Sequence, residues 1–513
     1  MVFSQSHSLL KRLWGQFTAG PGNRWLLGPE QAMERSLLAL WCLNLVLRFW
    51  RLDTPTPLTF DEVYYVAFAT DILQNQPFFD AHPPLGKQLI ALSIAGFQAS
   101  QQALGLANQS LAAVMANPVS YRWLNAGIGA TIPLLGGWVA WEWSRGYAHR
   151  RRQIFTHLSA LLLSADGLLL VESRLALLHV ALVGFGLVGL AAWARSHHCY
   201  HPLPWRLLAG LVLGACINVK WNGAGYLLAL WCLEGIRTWR DRTQRQPPQA
   251  TRPWLWLGIL PCGVYLLCWL PYLKLTGQTL WGIHRHLWQF HIQAGAHPYQ
   301  SAWYTWPLMI RPIAYFYQGL AGNESVGIGP ATPSPTTAIS LYGMNHPFLV
   351  WLGTAAIALL IVQKVGQLRR LSSSAAEVET QNIDRAAKFG DPTISRPRKR
   401  ARLKRSAIKH LRDSRPSPST AVVITYLANW LPWAFIQRST FFYHYFSSAL
   451  MAEIALAWLM SHWLTSNRPS WHWAAGSLLG LIVAGFIFWL PLWIGWPLSL
   501  EALQQRWWVP SWR

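Results

Sequence analysis

Long apolar runs, separated by short basic turns and two long polar loops, set the pattern of this chain. Runs lie near residues 35–51, 120–141, 154–171, 175–194, 205–219, 222–236, 254–273, 346–363, 420–437, 444–464 and 472–496. A helix needs about 20 apolar residues to cross a bilayer, somewhat fewer where flanking residues snorkel, so the pattern predicts about eleven spans. The fifth and sixth runs are short, and merging them into one long helix leaves ten. Loop charge decides between the two counts. Arg145, Arg150 to Arg152, then Arg237, Arg240, Arg242 and Arg245, and the segment 364–415 concentrate basic residues, which marks cytoplasmic turns. The loops 52–119 and 274–345 carry few and are expected on the opposite side. The count of eleven, with the N-terminus inside and the C-terminus outside, satisfies every one of these assignments.

Three regions follow. Residues 1–366 form a membrane-embedded region with two large extracytoplasmic loops, 52–119 and 274–345. Residues 367–419 are rich in Ser, Arg, Lys and Pro with almost no large apolar side chain, so a disordered basic cytoplasmic linker is expected there. Its RPRKRARLKR run suits anionic headgroups or a plain topogenic stop. Residues 420–513 return to spanning helices. Within the first loop, LGKQLIALSIAGFQASQQALGL reads as a helix lying along the interface. The fold class expected is an all-α polytopic membrane protein.

Composition sharpens this picture. Hydrophobic residues make up 52% and charged residues 12%, about half the charge fraction of a soluble protein. The 33 tryptophans fit rings anchored at the membrane–water interface. The formal charge of +23 sits in turns and in the linker rather than over one domain, so it reads as topology and not as a nucleic-acid surface. The six cysteines lack CxxC spacing and lie in or beside apolar runs, implying neither a disulfide frame nor a metal site. No cleaved signal is read at the N-terminus, where the first apolar run would serve as an uncleaved anchor.

Candidate chemistry concentrates in TFDEVYYVAFATDILQNQPFFDAHPPLGK, residues 59–87. Four carboxylates (Asp61, Glu62, Asp71, Asp80), His82 and Lys87 fall together in a chain with only 20 acids. Asp61, just after a helix on the outer side, is placed to accept a proton from an attacking hydroxyl; the plain alternative is a helix N-cap. Arg48 ends the first span, Arg122 opens the second, and Arg174 and Lys220 lie in apolar surroundings near outer ends. Charges kept inside a membrane are expensive and usually functional, and several cations converging there suit an anionic phosphate. His82, His297 and His444 fall on the same side, with no zinc-ligand spacing. The adjacent acids could share a divalent cation, but no loop offers a complete ligand set. No phosphate-binding glycine loop or nucleophile elbow is present.

FDEVYY, AHPPLGKQLIAL, SADGLLLVESRLALLH, VKWNG, HPYQSAWYTWPLMIRP and RSTFFYHYF recur in this order in the protein O-mannosyltransferases, membrane-embedded glycosyltransferases of the GT-C type. The chain resembles the compact bacterial form of that family over roughly residues 48–464. The resemblance implies inverting transfer of mannose from a polyprenyl-phosphate donor to Ser or Thr hydroxyls of exported proteins, at the outer face of a bacterial plasma membrane. It implies that Asp61 is the general base and Glu62 an acid that positions donor or acceptor. Arg48, Arg122, Lys220 and Lys87 would hold the donor phosphate, with His82, Arg174 and His444 at the substrate. Such chemistry is coherent, because hydroxyls need a base and a leaving phosphate needs cations.

Departures from the family pattern are His179 in SRLALLH, where an Asp is usual, Met344-Asn345-His346-Pro347 in place of Gly-Asn-Pro, and the long basic linker. The alternatives are a GT-C transferase acting on a lipid or envelope glycan with another lipid-linked sugar, and a transporter of anionic or lipid-linked solutes. Transporters place such groups at the midplane between repeats, whereas the key acids here lie at one surface and no repeat is visible.

Overall fold

The computed structural model describes residues 29–106, 110–243, 252–293, 295, 297–321, 335–389 and 416–513. Helix α1 (Pro29–Phe49) leads into a loop that carries α2 (Glu62–Leu73) and α3 (Leu85–Ala103). Then follow α4 (Val119–Trp143), α5 (His149–Ser164), α6 (Gly167–Arg174), α7 (His179–Ser196), α8 (Pro202–Val219), α9 (Ala224–Thr243) and α10 (Leu255–Thr276). The second large loop contributes α11 (Leu280–Ile292) and strands β1 (Ile313–Ala321) and β2 (Pro335–Gly343). Helices α12 (Pro347–Phe389), α13 (Pro418–Trp430), α14 (Phe446–Trp463) and α15 (Pro469–Ile494) complete the bundle, and β3 (Leu498–Ser499) joins the hairpin edge.

Each of the apolar runs coincides with a helix or a bent helix pair. Among the described residues, by length and apolarity alone, five helices are able to cross a membrane (α7, α8, α10, α12 over Pro347–Gln367, and α15), and the pair α5–α6, bent by 59°, makes a sixth. In the other spanning candidates, inward-facing polar groups lower the mean hydropathy. Arg48, Arg122, Glu142 and Glu453 are all buried. The outer faces are apolar, with Leu38, Leu43 and Val46 on α1, Leu266 and Leu267 on α10, and Val483 and Ile487 on α15 exposed. Large apolar faces on long helices are where lipid sits, and the protein is an integral membrane protein.

The fold is mostly helical, as expected, with a small sheet in the loop 274–345: β1 and β2 pair antiparallel, from Ile313 opposite Gly343 to Ala321 opposite Pro335. Ile, Tyr, Phe and Thr are frequent in these strands, as a half-buried pleated surface favours. In addition, α12 continues to Phe389, so the first part of the expected linker is helical. Its stretch AAEVETQNIDRAAK is built of good helix formers, which a reading of charge and apolarity alone passes over. Residues 390–415 of that linker lie outside the described residues.

Candidate active site

The loop after α1 turns sharply before it reaches α2. Phe60 adopts φ +54°, a left-handed conformation that is costly for an aromatic residue and tends to be kept where a site demands it. Its ring is clamped, stacked on Tyr315 at 4.4 Å and edge-on to Tyr443 at 5.7 Å. This turn delivers Asp61 to the start of α2 without using it as a cap: its carboxylate makes no capping bond. Among the described residues its only hydrogen-bonding side-chain partner is the Tyr65 hydroxyl, a long 3.4 Å contact to Oδ2. Burial raises the Asp61 carboxyl above the ordinary carboxylate range, while the nearby Lys220 and His179 pull it back. An aspartate with free lone pairs and a raised pKa is what a general base requires.

Glu62 is built differently. Its Oε1 accepts from Arg122 Nε at 2.8 Å and the Ala176 N–H at 2.8 Å. Its Oε2 accepts from Arg122 Nη2 at 2.7 Å and the Thr59 N–H at 3.0 Å. A carboxylate has about four lone-pair sites, and these bonds fill them. Glu62 therefore has no lone pair left in this structure for a proton or for an ion shared with Asp61. Glu62 and Arg122 are both fully buried, and breaking such a pair typically costs about 3–5 kcal/mol. Glu62→Gln, which turns an N–H toward Arg122, is expected to lower the thermal unfolding midpoint in detergent markedly, and a variant as stable as wild type would contradict this arrangement.

Two of the four expected phosphate-binding cations, Arg122 and Lys87, are also committed elsewhere. Arg122 spends Nη1 on the carbonyls of Leu52 and Pro55. Lys87 gives its three protons to Asp80 at 2.5 Å, His82 O at 2.7 Å and Pro83 O at 2.6 Å. Arg174 caps the end of α1 through the carbonyls of Leu47, Arg48, Trp50 and Arg51, so it organises backbone and not substrate. Arg48 bonds Asn44 and is wholly buried between helices, with Nε and Nη2 lacking a hydrogen-bond partner among the described residues.

Lys220 remains. The residue after α8, it lines a cleft of ≈ 640 Å³. Its Nζ lies 3.0 Å from His179 Nε2 and 5.3 Å from the centre of the Tyr443 ring. Burial, reinforced by Arg438, brings its pKa down to about 8, against the pull of Asp61, Glu172 and Asp80. Arg438, in the loop before α14, lines the same cleft and makes no side-chain hydrogen bond or ion pair among the described residues. The sequence reading missed Arg438, although it opens RSTFFYHYF, because nothing in the linear pattern brings that loop to Lys220. His82 reaches the cleft wall, its ring 5.8 Å from that of His291, and burial pushes its pKa well down. His444 packs between Trp433 at 4.3 Å and Tyr443 at 4.5 Å as a buried neighbour.

The cleft has two characters. Lys220, Arg438, Asn222, His82 and His291 make one end polar, while Leu228, Trp288, Ile292, Phe435 and Ile436 line the rest and are exposed. It offers charge to a head and an apolar opening to a tail. Among the described residues, no group of three or more His, Cys, Asp or Glu is arranged to hold a metal ion.

A further group missed from sequence lies behind Lys220. His179 Nδ1 is 3.0 Å from Glu172 Oε2, and the Tyr315 hydroxyl donates to Glu172 Oε1 at 2.5 Å. A register shift between Ala314 and Phe316 sets Tyr315 in a bulge of β1, a device that re-aims a side chain. Opposite it, Gly343 leaves the space: a Cβ there would lie 2.5 Å from Tyr315 Cζ. Gly343→Ala is expected to displace Tyr315 and lower activity with little loss of helix content, as checked by circular dichroism beside a transfer assay.

Comparison with known proteins agrees with this architecture. The pattern of the dolichyl-phosphate-mannose-protein mannosyltransferase family matches residues 38–282, and that of the C-terminal four-transmembrane region of protein O-mannosyltransferases matches 276–390 and 398–512. A polyprenol-phosphate-mannose–protein mannosyltransferase of Mycolicibacterium smegmatis is 24% identical, the match covering 92% of this chain and 91% of that protein. The enzyme of the same description from Mycobacterium tuberculosis is 25% identical over 92% and 90% of the two chains. Among solved structures, the Saccharomyces cerevisiae Pmt1-Pmt2 complex bound to the sugar donor superposes with a TM-score of 0.70, at 13% identity over 94% of this chain and 93% of that one, and shares the fold.

Proposed function

The chain belongs to the protein O-mannosyltransferase family, and from that premise we propose that it transfers mannose from polyprenyl-phosphate-mannose to Ser or Thr hydroxyls of exported proteins. The observation that carries the mechanism is a partly buried Asp61, held only by a long contact from the Tyr65 hydroxyl among the described residues, close to a cleft that Lys220 and Arg438 line. The donor phosphate sits between those two cations, with the prenyl chain leaving past Leu228, Phe435 and Ile436 toward lipid. An acceptor hydroxyl attacks the anomeric carbon, forming the new C–O bond as the bond to phosphate breaks. Asp61 takes the hydroxyl proton, and the phosphate leaves as an anion stabilised by the cations. One displacement inverts the anomeric configuration. Glu62 and Arg122 hold the loop that aims Asp61.

The cationic turns support an extracytoplasmic site in a bacterial plasma membrane. Arg145, Arg151 and Arg152 lie at the α4–α5 end of the bundle, opposite the loop that bears Asp61.

Purified protein incubated with polyprenyl-phosphate-mannose and a Ser/Thr peptide should add a hexose to the peptide, followed by mass spectrometry. Sugar appearing only on a lipid or glycan acceptor would reject the protein acceptor. The pH dependence follows from the site. Activity rises as Asp61 ionises, and falls as Lys220 loses its proton through about pH 8. A rate unchanged across that pH removes the Lys220 charge from the reaction.

A further inference from the structure

The displacement itself needs a base and cations, yet Lys220 is backed by a buried chain that neither takes the proton nor meets the cleft. Glu172, on the short helix α6, is fully buried. It accepts from Tyr315 on one oxygen and faces His179 Nδ1 at 3.0 Å on the other. His179 Nε2 faces Lys220 Nζ at 3.0 Å. An ammonium only donates, so Nε2 must accept, and the ring proton must sit on Nδ1 and point at Glu172. His179 is thereby fixed as one neutral tautomer that links a buried carboxylate to a buried ammonium.

We propose that Glu172 and His179 are positioning residues for Lys220: they hold it charged and fix one of its three protons, so that the other two meet the donor phosphate. The inference rests on the reading of Lys220 as a phosphate ligand. The arrangement requires no proton to move along the chain. Tyr315 extends the device to the outer hairpin, so that the bulge in β1 and the position of Lys220 are set together.

The charged groups bearing on Lys220 are Arg438 from the loop before α14, Asp61 and Asp80 from the first loop, and Glu172 from α6. His82, His291 and His444 feel its charge from the first loop, α11 and the loop before α14, and the Tyr443 ring faces it. Of the three carboxylates, only Glu172 reaches Lys220 through a hydrogen-bonded bridge, so its loss should be read directly in the titration of Lys220.

The test is the affinity of detergent-purified protein for polyprenyl-phosphate-mannose as a function of pH. This donor is a phosphodiester whose own charge stays constant, so the alkaline loss of binding reports the lysine. Wild type is expected to lose affinity as pH rises through about 8. Glu172→Gln and His179→Ala should move that midpoint down by about one unit. His179→Gln, whose amide can donate to Glu172 and accept from Lys220, should restore it. Should His179→Ala fail to fold, the near-isosteric Glu172→Gln carries the test. A midpoint equal to wild type in Glu172→Gln, and in His179→Ala where that variant folds, alongside normal transfer by wild type, would overturn the device and leave the reaction standing. Shifted midpoints with no transfer to any acceptor would uphold the device and reject the reaction.

Discussion

Asp61→Asn is expected to lower peptide mannosylation by about 10²–10⁴-fold while donor affinity at neutral pH changes little. The amide keeps the size and the Tyr65 contact of the carboxylate, but it cannot take a proton from a hydroxyl. Neither Glu62 nor Glu172 is free to replace it. Glu62 has four bonds on its two oxygens, and Glu172 is held by Tyr315 and His179. Single-turnover transfer measured with bound donor separates the two effects. A loss confined to the chemical step supports Asp61 as base. A variant that transfers at the wild-type rate contradicts it.

Loss of the Lys220 charge is expected to have the next largest effect. Lys220→Met keeps much of the apolar stem and removes the ammonium, and loss of one electrostatic stabiliser typically costs about 10²–10³ in rate. Because the charge also binds the ground-state phosphate, donor affinity should fall together with turnover, which distinguishes this variant from Asp61→Asn. Arg438→Ala should act in the same direction, since that guanidinium lines the same cleft with no hydrogen-bonded protein partner among the described residues. Arg174→Ala, by contrast, should act on stability, because its guanidinium bonds only backbone carbonyls. Equal donor affinity in Lys220→Met and wild type would move the phosphate elsewhere.

The contrast between these cations shows what a linear reading can reach. Runs of apolar residues are legible because every span must satisfy its own backbone and present lipid with apolar side chains, which leaves a signal in each segment separately. Asp61 stands out in the sequence for a similar reason, as a charge in a loop that needs none. The fate of Arg122, Arg174 and Lys87 was not, since their partners are carbonyls and carboxylates brought together only by folding. Glu172 and His179 fall within apolar sequence on separate helices, and the bulge that brings Tyr315 to Glu172 depends on the register of a hairpin. Arg438 sits more than 200 residues from Lys220 in sequence. The helix running to Phe389 was missed for another reason, since helix propensity without an apolar stripe resembles a linker when only burial is weighed.

The central claim is a single displacement at the anomeric carbon, driven by Asp61 against a phosphate held by Lys220 and Arg438. The most direct measurement is the anomeric configuration of mannose on a Ser/Thr peptide made by wild-type protein from a donor of known configuration, read by nuclear magnetic resonance. Inversion is the result this geometry predicts. Retention would require a covalent sugar intermediate and a second displacement, and would contradict it.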